Sequence, residues 1–330
     1  MSYLLSPLDK GKLTLKNRLV MPPMATSKSE KDGRVSQAML DYYDEKTRGG
    51  FISLVIVEHS YITQQGKASE GQLSIAEDNL VADLTKLAEV IHQNNSKAVM
   101  QINHAGSAAS QAVTGYEPVG PSAIANPRLG TSPKELTADD IKGLIEQFKA
   151  ATLRVKAAGF DGVEIHSAHG YLLNQFFSPL TNQRTDDYGK DVLGRIKLHL
   201  EIIKACRQAV GEDFPILLRL GASDYQEGGS TIADSLIAAV EFEKAGIDLL
   251  DISGGFCGYI SPDSKDQGYF SALTQAIKQV VTIPVLLTGG ITDATSAEKL
   301  LADKKADLIG VGRAIYKDST WAKTAIKSLK

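Results

Sequence analysis

The stretch FDGVEIHSAHGY (160–171) is a short apolar run followed by a turn that carries two histidines and a tyrosine. Residues 160–166 have the length and the branched side chains of a buried β-strand. The preceding segment, 137–158, has the pattern of an amphipathic helix, with Thr137 in the N-cap position and Gly159 after its end. The chain therefore places a strand directly after a helix, with polar side chains at the carboxyl end of the strand.

Apolar runs of this kind recur along the whole chain, and helix-like segments separate most of them. The eight apolar runs are 18–24, 51–58, 97–103, 160–166, 214–220, 247–253, 283–289 and 306–312. The helix-like segments are 37–48, 79–94, 137–158, 195–210, 231–245, 270–280, 296–302 and 319–329. Eight strand–helix units predict the (β/α)8 TIM barrel of the α/β class, and an open doubly wound sheet is the alternative.

Two segments lie outside this repeat. The sequence KLTLKNR (12–18) predicts an N-terminal hairpin that closes the bottom of the barrel. Residues 105–136, between strand 3 and helix 3, are too long for a plain loop, so we expect an excursion across the top face. Because no low-complexity linker interrupts the chain, we expect residues 1–330 to form one domain.

Composition and charge narrow the class of protein. The net charge is −3 and no block of like charges occurs, so neither nucleic acid nor a membrane surface is expected as a partner. The two cysteines, Cys206 and Cys257, are too few for a disulfide framework, which favours the reducing cytoplasm. We expect Cys206 to lie in the core, and Cys257 is explained more readily as a half-buried loop residue than as a reactive thiol.

Polar residues near the carboxyl ends of the strands break the apolar pattern that buried parallel strands should show. In a barrel these ends form the rim where active sites lie. A buried hydrogen-bond network that only fixes strand register is the alternative. The residues are Glu58, Gln101, Asn103, Glu164, His166, Arg219 and Ser253.

Glycine-rich turns follow the last two strands and indicate a phosphate site. TGGIT (288–292) and GVGRA (310–314) allow backbone N–H groups to approach an anion, and Arg313 adds a charge. FMN combines a phosphate with a flat hydrogen-bonding edge, to which Gln101 could donate and accept while Arg219 faces N1 and O2. A sugar phosphate would also fill the phosphate site, but it would leave Gln101 with less to bind.

Four stretches resemble the Old Yellow Enzyme family of FMN-dependent NAD(P)H oxidoreductases, and the resemblance covers nearly the whole chain. They are LKNRLVMPPM (15–24), GVEIHSAHGYLLNQFFSPLTNQRTDDYG (162–189), LLRLGASDY (217–225) and ADLIGVGRA (306–314). The resemblance implies a (β/α)8 barrel with FMN at its rim. NADH or NADPH would reduce the FMN, and the hydride would pass to the β-carbon of an electron-poor alkene such as an α,β-unsaturated carbonyl compound.

The same resemblance assigns roles to individual residues. His166 and His169 would hold the carbonyl oxygen of the substrate, and Tyr171 would be the proton donor. A metal site at the two histidines is disfavoured because no third ligand lies nearby in the sequence. The residues implied to contact FMN are Pro22, Pro23, Met24, Ala25, His59, Gln101, Arg219, Gly290, Gly312 and Arg313.

Two departures from the family pattern keep other hypotheses open. Ala25 stands where the family usually has threonine or cysteine beside the flavin, and Ser27 and Lys28 stand where one branch has a tyrosine. The second of these implies a larger or more anionic substrate. The alternatives are an FMN protein that binds ligands with little turnover, acting as a sensor, and a flavin-free phosphate-binding lyase or isomerase. The choice between NADH and NADPH, the physiological substrate and the formation of a homo-oligomer stay open.

Overall fold

Eight parallel strands close into a barrel with helices outside it. The structure, a computed structural model, describes residues 2–330. In chain order the barrel strands pair as β3, β4, β5, β8, β9, β10, β11 and β12, and β12 pairs back with β3. The predicted (β/α)8 barrel is confirmed. The strands are β1 (Leu8–Asp9), β2 (Thr14–Leu15), β3 (Leu19–Met21), β4 (Leu54–Tyr61), β5 (Lys97–Asn103), β6 (Val119–Gly120), β7 (Lys134–Glu135), β8 (Gly162–Ser167), β9 (Ile216–Gly221), β10 (Leu249–Ser253), β11 (Val285–Thr288) and β12 (Leu308–Gly310).

All eight predicted helices are present, with ends that differ from the prediction by a few residues. The α-helices are α1 (Gln37–Thr47), α2 (Val81–Gln93), α3 (Gln111–Thr114), α4 (Ala138–Ala157), α5 (Leu172–Phe177), α6 (Val192–Val210), α7 (Ile232–Ala245), α8 (Ser271–Ile277), α9 (Ala294–Ala302), α10 (Arg313–Lys317) and α11 (Trp321–Ser328). The short helices α3, α5 and α10 were not expected. Helix α4 begins as the sequence indicates, with a capping box between Thr137 and Asp140. No helix in residues 2–330 is long and apolar enough to cross a membrane.

The N-terminal hairpin closes the barrel at the end opposite the polar strand tips. Strands β1 and β2 pair antiparallel, with Leu8 opposite Leu15. The side chains of Leu8, Leu13 and Leu15 belong to the same buried apolar cluster as the inward-facing residues of the barrel strands. The predicted hairpin is therefore confirmed. Burial of its three leucines removes the lower end of the barrel interior from water.

The excursion between β5 and α4 lies over the opposite end of the barrel. It contains α3 and the short pair β6 and β7. Arg184 fixes its base, because the buried guanidinium donates from Nη1 to the carbonyl oxygens of Pro121 (2.8 Å) and Leu136 (2.7 Å). Arg184 thus anchors the segment that covers the rim.

One histidine on the outer layer is not where its sequence position suggests. A histidine on an amphipathic helix is expected at the surface, yet His199 of α6 is fully buried. Its ring stacks on Phe242 (centroids 5.4 Å apart), and Nε2 lies 2.8 Å from Ser167 Oγ. The surface expectation is wrong because α6 packs between α4 and α7, so the helix turns a wide face inward. Cys206, on the same helix, is fully buried in the core as expected.

Candidate active site

A cavity of about 690 Å³ opens at the carboxyl ends of the barrel strands. Its volume lies within the range of small-molecule and cofactor sites. All thirteen residues that were expected to bind the substrate or FMN line it, although they come from seven different strand ends. They are Pro22, Pro23, Met24, Ala25, His59, Gln101, His166, His169, Tyr171, Arg219, Gly290, Gly312 and Arg313.

A polar layer of the barrel interior forms part of the floor of this cavity. Strand register places Gln101 opposite Glu164 and Arg219 opposite Asp251. Gln101 Nε2 donates to Glu164 Oε2 at 2.7 Å, and Arg219 Nε lies 3.1 Å from Asp251 Oδ2. Because its amide nitrogen is held by Glu164, Gln101 keeps its carbonyl oxygen for a ligand in the cavity.

The two carboxyl groups of this layer share one guanidinium. Both are fully buried, and burial, followed by the nearby charge of Asp251, raises the pKa of Glu164 well above its usual value. Burial raises the pKa of Asp251 only to about 6, because Arg219 opposes the shift. The raised pKa favours the neutral form of Glu164, and Asp251 and Arg219 form an ion pair. The sequence marked Glu164 as a rim residue, but it lies behind Gln101 and does not itself line the cavity.

Three rings at the end of β8 and in the turn after it line the cavity together. The ring of His166 meets those of His169 and Tyr171 edge to face, each pair with centroids 5.1 Å apart. His59 lies 5.4 Å from the Tyr171 ring. One turn of chain thus presents two imidazoles and a phenol to the same space, as the spacing in the sequence suggested.

The turn that carries these rings has an unusual backbone. His169 has φ +60° and Gly170 has φ +77°, so two successive residues adopt the left-handed conformation. A β-carbon at Gly170 would lie 3.1 Å from the Phe256 ring, so glycine is needed for space as well as for its conformation. Two contacts hold His169: Nε2 lies 2.8 Å from Ser253 Oγ, and its carbonyl accepts from Arg128 Nη1 at 2.8 Å. A strained non-glycine residue held from both sides is typical of functional sites.

The histidines at the cavity are neutral at physiological pH. Burial lowers the pKa values of His166 and His169 well below 6.5, and the positive charge of Arg219 lowers both further. Burial lowers the pKa of His59 to about 4. Burial also raises the pKa of Tyr171, which therefore keeps its proton. The cavity wall offers neutral N–H and O–H donors rather than charged ones.

On the opposite side of the cavity, two glycines let the backbone lie close to neighbouring groups. A β-carbon at Gly290, where φ is +67°, would lie 2.6 Å from the Tyr269 ring, and one at Gly312 would lie 2.8 Å from Met24 Sδ. Arg313 Nη2 donates to Tyr269 Oη at 3.1 Å. Half-buried glycine turns beside a guanidinium form a cradle that suits a phosphate group.

Glu58 and His59 are neighbours in strand β4, but only one of them lines the cavity. The pairing of β4 with β5 shifts register between Val57 and Ser60, as at a β-bulge. His59 lines the cavity, whereas Glu58 contacts the hydroxyl group of Tyr43 on α1 instead. Burial raises the pKa of Glu58 to about 7. The expectation that Glu58 belongs to the rim is therefore wrong.

Two further residues marked at strand tips are buried without lining the cavity. Asn103 is buried, and neither its amide oxygen nor its nitrogen has a hydrogen-bond partner within residues 2–330. Ser253 does not line the cavity, and its hydroxyl group contacts Nε2 of His169.

Cys257 is half-buried, and burial raises the pKa of its thiol to about 11, so it is protonated at neutral pH.

Sequence reasoning missed several lining residues that lie in loops. Their positions depend on how the loops fold over the rim, so no local pattern marks them. Arg128 belongs to the excursion 105–136, which was expected to cross the top face. That expectation was the only indication in the sequence that Arg128 could lie near the site. The missed polar and large loop residues are Asn126, Arg128, Leu129, Tyr259, Tyr269, Ile291 and Thr292. Thr288, the last residue of β11, and Lys317, the last residue of α10, were missed as well.

Comparison with known proteins agrees with this architecture. The 2-naphthoyl-CoA reductase in a complex structure has a TM-score of 0.93 at 28% identity, covering 99% of this chain and 52% of that one. The Old Yellow Enzyme homologue from Zymomonas mobilis has a TM-score of 0.85 at 25% identity, covering 99% of this chain and 93% of that one. The fold of the whole chain is therefore shared with these flavoenzyme structures.

Curated relatives are similar over the same length of this chain. An NADH oxidase of Thermoanaerobacter brockii is 42% identical over 321 residues, which make up 96% of this chain and 49% of that protein. The chain thus spans about half the length of that relative, and 48% of a metal reductase of Desulforamulus reducens. An NADPH dehydrogenase of Bacillus subtilis is 37% identical over 328 residues, covering 99% of this chain and 95% of that one.

A family model decides the assignment. The model of the NADH:flavin oxidoreductase / NADH oxidase family matches residues 3–330. This match includes every barrel strand and every residue described above as lining the cavity. The chain belongs to the NADH:flavin oxidoreductase / NADH oxidase family, the family of the Old Yellow Enzyme homologues, whose cofactors are FMN and NADH or NADPH.

Proposed function

We propose that the protein uses NADH or NADPH, through bound FMN, to reduce the alkene of α,β-unsaturated carbonyl compounds. The observation that carries this proposal is the clustering of His166, His169 and Tyr171 in one cavity with Gln101 and Arg219. The first three groups suit the substrate, and the last two suit the edge of a flavin. Residues 1–330 would act as one catalytic domain with a small-molecule substrate, and the two-cysteine composition supports a cytoplasmic setting.

The residues present fit FMN. The glycine cradle with Arg313 would hold the phosphate, and Pro22, Pro23, Met24 and Ala25 would flank the ring system. The free carbonyl oxygen of Gln101 can accept from an N–H of the pyrimidine edge, and Arg219 supplies positive charge. Bound there, FMN would supply hydride transfer between the nicotinamide and the alkene.

The histidine pair provides a site for developing negative charge. Hydride addition at the β-carbon pushes electron density onto the carbonyl oxygen of the substrate. Neutral His166 and His169 can each donate one N–H hydrogen bond to that oxygen. A positively charged imidazolium would more readily transfer its proton to the oxygen. Removing one such donor typically costs about 10²–10³ in rate.

Tyr171 would complete the addition. Its hydroxyl group is protonated at neutral pH because burial raises its pKa. Edge-to-face packing against His166 fixes the ring. The phenol can deliver the proton that the α-carbon needs, so that the alkene gains a hydride and a proton.

The test is a visible spectrum of the purified protein, followed by anaerobic addition of NADH or NADPH and then of 2-cyclohexenone. We expect a yellow protein that bleaches with at least one nucleotide and recovers its colour with the enone. A yellow protein that binds ligands without bleaching would instead support the sensor hypothesis. A colourless protein that takes up no added FMN would support the flavin-free barrel.

A further inference from the structure

The cavity contains more positive charge than the proposed function uses. Four cationic side chains line it, namely Arg128, Arg219, Arg313 and Lys317, and no aspartate or glutamate does within residues 2–330. Arg219 and Arg313 are accounted for by the flavin edge and the phosphate. Lys317 lies four residues after Arg313 on α10, so it faces the same end of the cavity. Arg128 alone lies at the other end, beside the histidine pair.

The exposed guanidinium of Arg128 makes one hydrogen bond to the protein and has no anionic partner. Its Nη1 donates to the carbonyl oxygen of His169 at 2.8 Å. Throughout the described part of the chain, no carboxylate forms an ion pair with it, although most other arginines have such a partner. Its positive charge reaches the reacting groups, because it contributes to the lowered pKa of His169 and opposes the raised pKa of Tyr171.

The loop that carries Arg128 is preorganised. Buried Asn126 accepts from the Arg128 backbone N–H through Oδ1 at 2.9 Å and donates from Nδ2 to Ser107 Oγ at 2.9 Å. The backbone of Asn126 also closes the turn with Gly130 and Thr131, at 2.8 Å in each case. A cation presented by a pinned turn loses little freedom when it binds an anion, which favours binding.

Apolar surface surrounds this cation. Leu129 and Tyr259 are each 58% exposed and line the cavity next to Arg128. The Tyr259 ring lies 6.2 Å from that of His169. Large exposed apolar side chains inside a cavity indicate a surface that a ligand covers. The mouth therefore combines an apolar wall with one unpaired guanidinium.

We propose that Arg128 binds the carboxylate of the substrate, so that the preferred substrates are electron-poor alkenes with an apolar body and a carboxylate group. This inference rests on the proposed function and specifies its substrate class. NADH and NADPH also carry anionic groups, and the experiment is designed to separate them from the substrate. The reaction adds a hydride from the nucleotide and a proton to the alkene, and the carboxylate remains unchanged.

The test compares a matched acid and ester. The probes are 4-oxo-4-phenyl-2-butenoate and its methyl ester, which share the enone and the phenyl ring and differ in charge. We expect kcat/KM to favour the acid, and Arg128→Leu to lower the acid-to-ester ratio on the order of tenfold, the scale of a charge-assisted hydrogen bond near water. Arg128→Lys should retain part of the preference, and added salt should weaken it. Lys317→Leu is the matched control and should leave the ratio unaltered.

A binding measurement separates failure of this inference from failure of the proposed function. The saturated acid 4-oxo-4-phenylbutanoate cannot be reduced at the alkene, and calorimetry on the oxidised holoenzyme gives its Kd. We expect Arg128→Leu to raise that Kd on the order of tenfold. If neither probe reoxidises the reduced protein, the proposed function fails, while the Kd still decides the role of Arg128. An unchanged acid-to-ester ratio and Kd overturn the inference, as does an Arg128→Leu effect confined to bleaching by the nucleotide.

Discussion

At the scale of single residues, burial decides the protonation states that the chemistry needs. Two imidazoles and a phenol in water would titrate near pH 6.5 and 10. In the cavity wall, the pKa values of His166 and His169 lie well below 6.5, and that of Tyr171 is raised. All three groups are therefore neutral donors across the physiological range, although nothing in the HSAHGY sequence specifies a protonation state.

The first prediction concerns Tyr171. Tyr171→Phe should slow reoxidation of the reduced protein by 2-cyclohexenone by roughly 10² or more, the usual contribution of a general acid. Bleaching by NADH or NADPH should change by less than about threefold, since that step needs no proton from Tyr171. Stopped-flow absorbance of the two half-reactions measures both rates. Tyr116→Phe, which alters an exposed phenol outside the cavity, is the control.

The pH dependence of the reoxidation rate tests the same prediction in a second way. Because the pKa values of both histidines are lowered and that of Tyr171 is raised, none of the three should titrate between pH 6.5 and 9. The reoxidation rate of the unmodified protein should therefore stay level over this range. A tenfold change within it would show that another group titrates in this step, whereas an unchanged rate in Tyr171→Phe would remove Tyr171 from the mechanism.

At the scale of elements, the loops after the strands determine how closely a ligand can approach. Gly290, after β11, adopts φ +67°, and a β-carbon there would push on the Tyr269 ring. Tyr269 in turn accepts from Arg313 at the start of α10 and donates to the carbonyl oxygen of Tyr259 at 2.6 Å. The proposed phosphate site is therefore formed jointly by two turns and a loop, which contact one another through Tyr269.

The second prediction compares two glycines. Gly290→Ala should weaken FMN binding by about tenfold or more, because it strains the turn and displaces Tyr269 and Arg313. Gly143→Ala lies inside α4 with no atom within 4 Å of the added β-carbon. It should leave FMN affinity unchanged and raise the free energy of unfolding by about 0.5–1 kcal/mol, the difference in helix propensity. Quenching of FMN fluorescence measures the first quantity and urea denaturation the second. Equal FMN affinities in the two variants would show that the Gly290 turn does not hold the phosphate.

At the scale of the whole molecule, the barrel buries titratable groups whose effects on stability have opposite signs. Burial lowers the pKa of His104 to about 4 and that of His199 to about 3. The unfolded chain binds these protons below about pH 6.5 and the folded protein does not, so their stabilising effect is lost as the pH falls. Glu58 and Asp251 have raised pKa values, of about 7 and 6, so they favour the folded state more as the pH falls through that range.

The third prediction isolates one of these groups. His199 does not line the cavity, and His199→Gln keeps a polar atom near Ser167 while removing the titration. One histidine that stays neutral in the folded state costs about 2 kcal/mol of stability between pH 6.5 and pH 5. The unmodified protein should therefore lose about 2 kcal/mol more than the variant between pH 7 and pH 5. Urea denaturation at both pH values measures this, and equal losses would mean that His199 is already charged in the folded protein.

The barrel and the polar residues at its rim could be predicted because they follow from local patterns. Each strand is recognisable from a few consecutive apolar residues, and parallel strands of a barrel all end at one rim. Residues as distant in sequence as Gln101 and Arg313 could therefore be assigned to one cavity without any knowledge of contacts, whereas Pro22 and His59 were expected there only from the resemblance to the Old Yellow Enzyme family. The thirteen residues do line that cavity, while their chemical roles remain predictions.

The sequence by itself determined the eight strands, the hairpin at the closed end and the residues at the strand tips, because these depend on periodicity within a few residues. Only the tertiary structure decided which of those tips reach the cavity. The bulge in β4 turns Glu58 toward α1, and packing between helices buries His199, because both outcomes depend on elements far away in the chain. The position of Arg128 is of the same kind: its loop is placed by Asn126, Ser107 and His169, and no local pattern contains those three contacts.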